Sequence, residues 1–213
     1  MVRAVWQEEG DIDLIAASGA AVVHNPVNNA RLGSGICALP SMLQAGVRVA
    51  LNTDSACCNG SVNILKTMKW AALLPRLSHE EADWPLPGQV LSLATEGAAD
   101  VIGLVGQTGA LVPGLAADIT LLRLDSPAFV PLHDPARQLV QGETGAAVDT
   151  VLVDGRVALR HGACMMLDEA AIWAEARELS ARRLRDHQDV YRYADALAAP
   201  IQRMRARLCG CAA

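Results

Sequence analysis

Two residues able to do chemistry close short apolar runs: His24 ends AVVH and Asp54 ends VALNTD. An imidazole both donates and accepts hydrogen bonds, so it can orient a polar ring, while a carboxylate can ligate a divalent cation or take a proton from water. The strings HNPVNN and DSACCNG around them add the amides Asn29 and Asn59, which are either loop-structuring groups or part of a pocket wall. Each principal residue also has a plainer reading: Asp54 suits a helix N-cap, and His24 a hydrogen-bonded histidine at a strand end. Cys57 and Cys58 are expected to be small buried packing residues, because adjacent cysteines seldom reach one ion together.

The elements that position these groups alternate in type. Residues 8–18 place Ile12, Leu14, Ile15 and Ala16 near helical spacing, with Gly19 as a C-terminal cap. Residues 20–23 read as a strand, and Asn25-Pro26 predicts a loop running to about Ile36. Pro40 opens a helix through Gln44, and residues 47–51 form a strand of the unalternating, buried kind found in parallel sheets. Ser61 is expected to cap a helix over 62–74, and Pro87 to begin another over 86–104. A β run that delivers an imidazole, a helix, then a β run that delivers a carboxylate is how a parallel α/β barrel furnishes its rim.

After Gly106 the pattern changes. Residues 117–125 and 148–162 are rich in Val, Leu, Ile and Thr, and Asp154-Gly155 between two apolar runs predicts a β-hairpin. The proline-rich stretch between them ends in a short helix, and residues 168–207 read as two surface helices broken near Ala199-Pro200.

Composition excludes several classes. The 213 residues are 52% hydrophobic, enough for a core, and the net charge of −5 with dispersed Lys and Arg argues against a nucleic-acid partner. The six cysteines follow neither a secreted disulfide framework nor paired zinc spacing and read as reduced thiols; Cys209-x-Cys211 reads as a frayed terminus. No run reaches the roughly 18 apolar residues of a membrane span, and residues 1–10 carry no leader pattern, so a soluble, cytoplasmic protein is expected.

Five blocks in order carry a family resemblance: HNPVNNARLGSGI with VALNTD, KTMKWAALL, LATEGAADVIGL, GALVPGLAADITLLRLD and ETGAAVDTVLVDGRVALRHG. Together they resemble the carboxy-terminal portion of the metal-dependent amidohydrolase superfamily, in the branch of chlorohydrolases and of cytosine, guanine and S-adenosylhomocysteine deaminases. The resemblance implies an α/β fold: residues 1–105 as the last strands and helices of a (β/α)8 TIM-type barrel, 106–165 as part of a small β-sandwich, and 166–213 as carboxy-terminal helices. It implies hydrolysis of a non-peptide carbon–nitrogen bond, or a dechlorination-like hydrolysis, on an amino-substituted purine, pyrimidine or triazine. One divalent metal ion, zinc or iron, would serve the complete site. Asp54 would be the metal ligand and proton shuttle, with His24 and Asn29 facing the heterocyclic amine substrate.

The departures carry equal weight. The family's HxH pair is absent, Arg3 in RAVW stands where a further histidine is usual, and Asn52 and Asn28 replace the usual Gly and Ser. Arginine cannot act as a neutral ligand. One carboxylate does not hold a catalytic zinc, which takes about three protein ligands plus water. The chain alone is therefore expected to be inactive and to work as a homo-oligomer or with a complementary barrel half; the alternative is a non-catalytic truncated product or subunit.

Overall fold

Gly19 takes the left-handed backbone (φ 68) that a helix C-terminus favours, and its N–H closes on Ala16 to end helix α1 (Asp11–Ser18). Strand β1 (Ala21–His24) follows. The loop expected after it is instead helix α2 (Pro26–Arg31), because Pro26 sits in the first turn, where its missing N–H costs nothing and its fixed φ already suits a helix. Helix α3 (Leu39–Gln44) and strand β2 (Arg48–Leu51) come next, close to their expected bounds. β1 and β2 pair in parallel from Ala21↔Arg48 to His24↔Leu51, and Val2 adds one parallel bridge to Val23. His24 and the end of β2 therefore emerge at the same edge. The computed structural model describes residues 1, 2 and 4–209, without the side chains of 205, 206, 208 and 209, so the expectations for Arg3 and for the Cys209 and Cys211 thiols fall outside the described residues.

Helix α4 (Ala56–Asn59), not anticipated, follows Asp54. Helix α5 (Ile64–Leu73) is capped by Asn63, whose side chain accepts from the Lys66 N–H at 3.0 Å, in place of the expected Ser61. The single helix expected over 86–104 is two, α6 (Pro87–Ala94) and α7 (Glu96–Val101), divided at Thr95 (φ −123, ψ −93). The break has a packing reason: α7 lies so close to β2 that a Cβ on Gly97 would stand 2.9 Å from the Val49 carbonyl oxygen. Val22, Val49 and Leu51 from the strands pack with Leu39, Met42, Met68, Ala71 and Val90 from the helices to form the core. Burial of each large side chain contributes about 1.5–3 kcal/mol.

Strand β3 (Ile119–Leu122), helix α8 (Pro135–Gln141) and strands β4 (Val148–Val153), β5 (Arg156–Arg160) and β6 (Ala163–Cys164) complete this part, the strands forming an antiparallel sheet in sequential order. Asp154 (φ 49) and Gly155 (φ 74) make the expected hairpin turn with the positive φ values a two-residue turn requires. Glu143, 1% exposed, closes the link from α8 to β4: one carboxylate oxygen accepts the backbone N–H groups of Thr144, Gly145 and Ala147 at 3.0, 2.6 and 3.0 Å.

The chain divides into two compact units, the first ending at Met165 and the second beginning at Met166. In the second, Asp168 caps helix α9 (Glu169–Asp186) by accepting from the Ala171 N–H at 3.0 Å, and helix α10 (Gln188–Cys209) follows. The break expected near Ala199-Pro200 falls at His187 instead, and Pro200 lies inside α10. On an exposed helix, solvent can hydrate the carbonyl that proline leaves without a partner. Among the described residues no helix is long and apolar enough to cross a membrane.

Candidate active site

The rim begins at the carboxyl ends of β1 and β2. His24, last in β1, is 2% exposed, and burial lowers its imidazole from 6.5 to about 4, so it is neutral at physiological pH. Its Nδ1 is buried without a hydrogen-bond partner among the described residues. Its carbonyl is used structurally, accepting from the Asn52 N–H at 3.0 Å and carrying the parallel ladder one residue beyond β2.

Asp54 follows two residues later and takes a left-handed backbone (φ 60), which Asp tolerates better than most residues. Asn52 Oδ1 accepts the Asp54 N–H at 2.6 Å, and Asp54 Oδ1 accepts the Ser55 N–H at 2.7 Å. The other oxygen, Oδ2, accepts Asn28 Nδ2 at 2.6 Å and, more weakly, Asn25 Nδ2 at 3.4 Å. Asn59 Nδ2 donates to the Thr53 carbonyl and so fixes α4 against the segment that carries the carboxylate. Asp54 remains half-buried. It is not the N-cap of α4, since Ser55 occupies that position.

Asn25, Asn28, Asn29 and Asn59 are each no more than 3% exposed. The Oδ1 atoms of Asn25, Asn28 and Asn59 and both side-chain polar atoms of Asn29 have no hydrogen-bond partner among the described residues. A buried polar atom left so costs about 1–3 kcal/mol. Four amides and one imidazole near the carboxyl ends of β1 and β2 thus hold buried polar atoms without a partner among the described residues, a candidate site for polar groups.

The structure thus brings His24 and Asp54 to one edge and places Asn29 among the buried amides near the end of β1. It adds Asn25 and Asn28, which the sequence did not single out as carboxylate partners. They lie three positions apart across the first turn of α2, so recognising that helix was the signal needed. Cys57 and Cys58 correct another expectation: Cys57 is exposed and Cys58 half-buried, because α4 is a single turn that buries Asn59 and not the cysteines before it. A cleft of about 610 Å³ is lined by Met1, Val5, Trp6, Leu14 and Ile15 and includes neither His24 nor Asp54.

As a metal site the donors are too few. Among the described residues no group of three or more His, Cys, Asp or Glu side chains converges to hold an ion. Asp54 offers one anionic donor, where a zinc site takes about three protein ligands.

Residues 1–158 match the model of the amidohydrolase family. The chain is 40% identical over 180 residues to a 5-methylthioadenosine/S-adenosylhomocysteine deaminase of Desulforudis audaxviator, covering 84% of this chain and 42% of that protein. It is 35% identical over 177 residues to a 5'-deoxyadenosine deaminase of Methanothermobacter thermautotrophicus, covering 83% of this chain and 41% of that one. Among solved structures, a zinc-bound adenosine deaminase from Xanthomonas campestris superposes with a TM-score of 0.81 at 29% identity, over 85% of this chain and 41% of its own. A zinc complex of atrazine chlorohydrolase from Arthrobacter aurescens superposes with a TM-score of 0.77 at 30% identity, over 84% and 40%. The chain therefore spans about two fifths of the length of the relatives it matches.

Proposed function

Since the chain belongs to the amidohydrolase family, we propose that its parallel pair β1–β2 forms the last two strands of a (β/α)8 barrel that hydrolyses a carbon–nitrogen bond on an amino-substituted heterocycle. The antiparallel strands β3 to β6 are then part of the small β domain. Deaminases of S-adenosylhomocysteine, 5-methylthioadenosine and 5'-deoxyadenosine among the relatives favour a 6-aminopurine nucleoside as substrate. The observation that carries the reading is the Asp54 carboxylate, held past β2 by side-chain amides in a left-handed backbone, at the same edge as a buried neutral imidazole.

In this reading Asp54 takes the proton of the attacking water and passes it to the leaving amine. Water oxygen bonds to the ring carbon, the carbon–nitrogen bond breaks and ammonia departs. His24, uncharged, hydrogen-bonds the ring or the developing oxyanion, and Asn29 contributes a wall of the pocket. The divalent ion of the family, zinc in two similar structures, needs ligands beyond the cluster described above, so this chain supplies one carboxylate corner of a shared site.

The test is complementation. The purified chain is mixed with the portion of the Desulforudis deaminase that it does not match, zinc is added, and ammonia release from 5'-deoxyadenosine is followed. Turnover should appear only in the mixture and vanish with Asp54→Asn. Full turnover by the chain alone, or a mixture indifferent to Asp54→Asn, contradicts the proposal.

A further inference from the structure

Three residues beyond Asp54, α4 exposes a pair of thiols for which the deamination reading has no use. Cys57 Sγ and Cys58 Sγ are 3.7 Å apart, and Ser55 Oγ lies 3.0 Å from Cys57 Sγ. Both sulfurs are free; Cys57 is exposed and Cys58 half-buried.

We infer that Cys57 and Cys58 form a two-thiol binding site for a thiophilic ligand with two open bonding positions, of which a trivalent organoarsenical is the simplest. The separation selects this over a direct bond. A disulfide needs sulfurs at about 2.0 Å and α-carbons about 4.4–6.8 Å apart, whereas neighbouring α-carbons across a trans peptide are about 3.8 Å apart. A bridging atom with bonds of about 2.3 Å to each sulfur, the length typical of zinc thiolates, spans 3.7 Å at an angle of about 107°. That angle suits a tetrahedral or pyramidal centre, so the sulfurs already stand where a bridge would hold them.

The surroundings favour the thiolate form. Hydrogen bonds from Ser55 first, and then from Cys58, lower the Cys57 thiol below its ordinary value. Cys37, by contrast, is buried, and burial pushes its thiol up to about 12, which removes it as a competitor. With phenylarsine oxide the arsenic–oxygen bond breaks and two arsenic–sulfur bonds form. The oxygen leaves as water with both thiol protons, and no oxidation state changes.

The experiment uses the whole chain carrying Cys209→Ser and Cys211→Ser, which removes the other close pair of cysteines in the sequence. The reduced protein is titrated with phenylarsine oxide and read by native mass spectrometry. One adduct per chain is expected, stable to excess monothiol and released by a dithiol. Replacing either Cys57 or Cys58 by serine should weaken binding by roughly 100-fold or more, since the second bond forms within the molecule. Undiminished binding in either single variant overturns the inference. So does a folded chain that takes up no arsenical while the same chain in denaturant does, because the fold would then be holding the sulfurs apart.

Discussion

Two carboxylates of this molecule, Glu143 and Asp54, show opposite uses of the same chemical group. Glu143 is 1% exposed and takes three backbone N–H groups on one oxygen, all from the turn it closes. Asp54 is half-buried and takes two side-chain amides as well as its neighbour's N–H, and those amides keep carbonyl oxygens with no partner among the described residues. Around Glu143 the donors come from backbone that must be satisfied for the chain to turn at all. Around Asp54 the local structure leaves buried polar atoms without a hydrogen-bond partner among the described residues. The first arrangement stabilises a fold; in the proposed function the second gives up stability to form a site.

Four changes test that contrast. The largest effect is expected on turnover: Asp54→Asn in the complemented assembly should slow ammonia release by about 10²–10⁴-fold, the range for removing a general acid–base group, with steady-state kinetics as the check. The next is the effect of pH on stability. Burial lowers His24 from 6.5 to about 4, so between those values the unfolded chain holds the extra proton. Stability should therefore be fully present above about pH 6.5 and fall as the pH drops towards 4, by about 3 kcal/mol from this group. Urea unfolding across that window should show the slope in the wild type and lose most of it in His24→Gln.

Glu143→Ala should cost about 2–3 kcal/mol, because three backbone N–H groups, one of them on the buried Ala147, lose their acceptor, and should lower the urea midpoint without altering the slope of unfolding against urea. The smallest effect should be that of Gly97→Ala, about 1–3 kcal/mol. Its new Cβ would meet the Val49 carbonyl at 2.9 Å and the Ser92 carbonyl at 3.2 Å, forcing α7 away from β2. A neutral Gly97→Ala would mean that the break at Thr95 has a cause other than close packing.

Much of the scaffold was legible from local chemistry. Asp154-Gly155 announced its hairpin because few residue pairs accept two positive φ values, and short apolar runs announced both parallel strands, the second as the unalternating, buried kind. Proline was the misleading residue. At Pro26 it was read as a breaker when it begins a helix, and at Pro200 it was expected to divide a helix that runs through it, since the residue alone does not say whether its missing N–H was needed. The break at Thr95 depends on how near β2 lies to Gly97, a tertiary distance with no local signature.

The site divides the same way. His24, Asp54 and Asn29 stood out by type and position, whereas the grip of Asn25 and Asn28 on Asp54 required knowing that α2 exists. Glu143 drew no notice because a carboxylate serving its own backbone looks, in sequence, like any acidic residue in a loop. Cys57 and Cys58 were expected inside because adjacent cysteines seldom reach one ion together, and a one-turn helix past the strand end leaves Cys57 exposed and Cys58 half-buried instead.

The most direct test of the contrast is the unfolding free energy of Asp54→Asn, measured in urea beside Glu143→Ala. An asparagine tolerates the left-handed backbone and can still accept from Asn28, so its stability should stay within about 0.5–1 kcal/mol of the wild type or rise above it. A loss as large as that of Glu143→Ala would make Asp54 a structural carboxylate and contradict its place at the centre of the site.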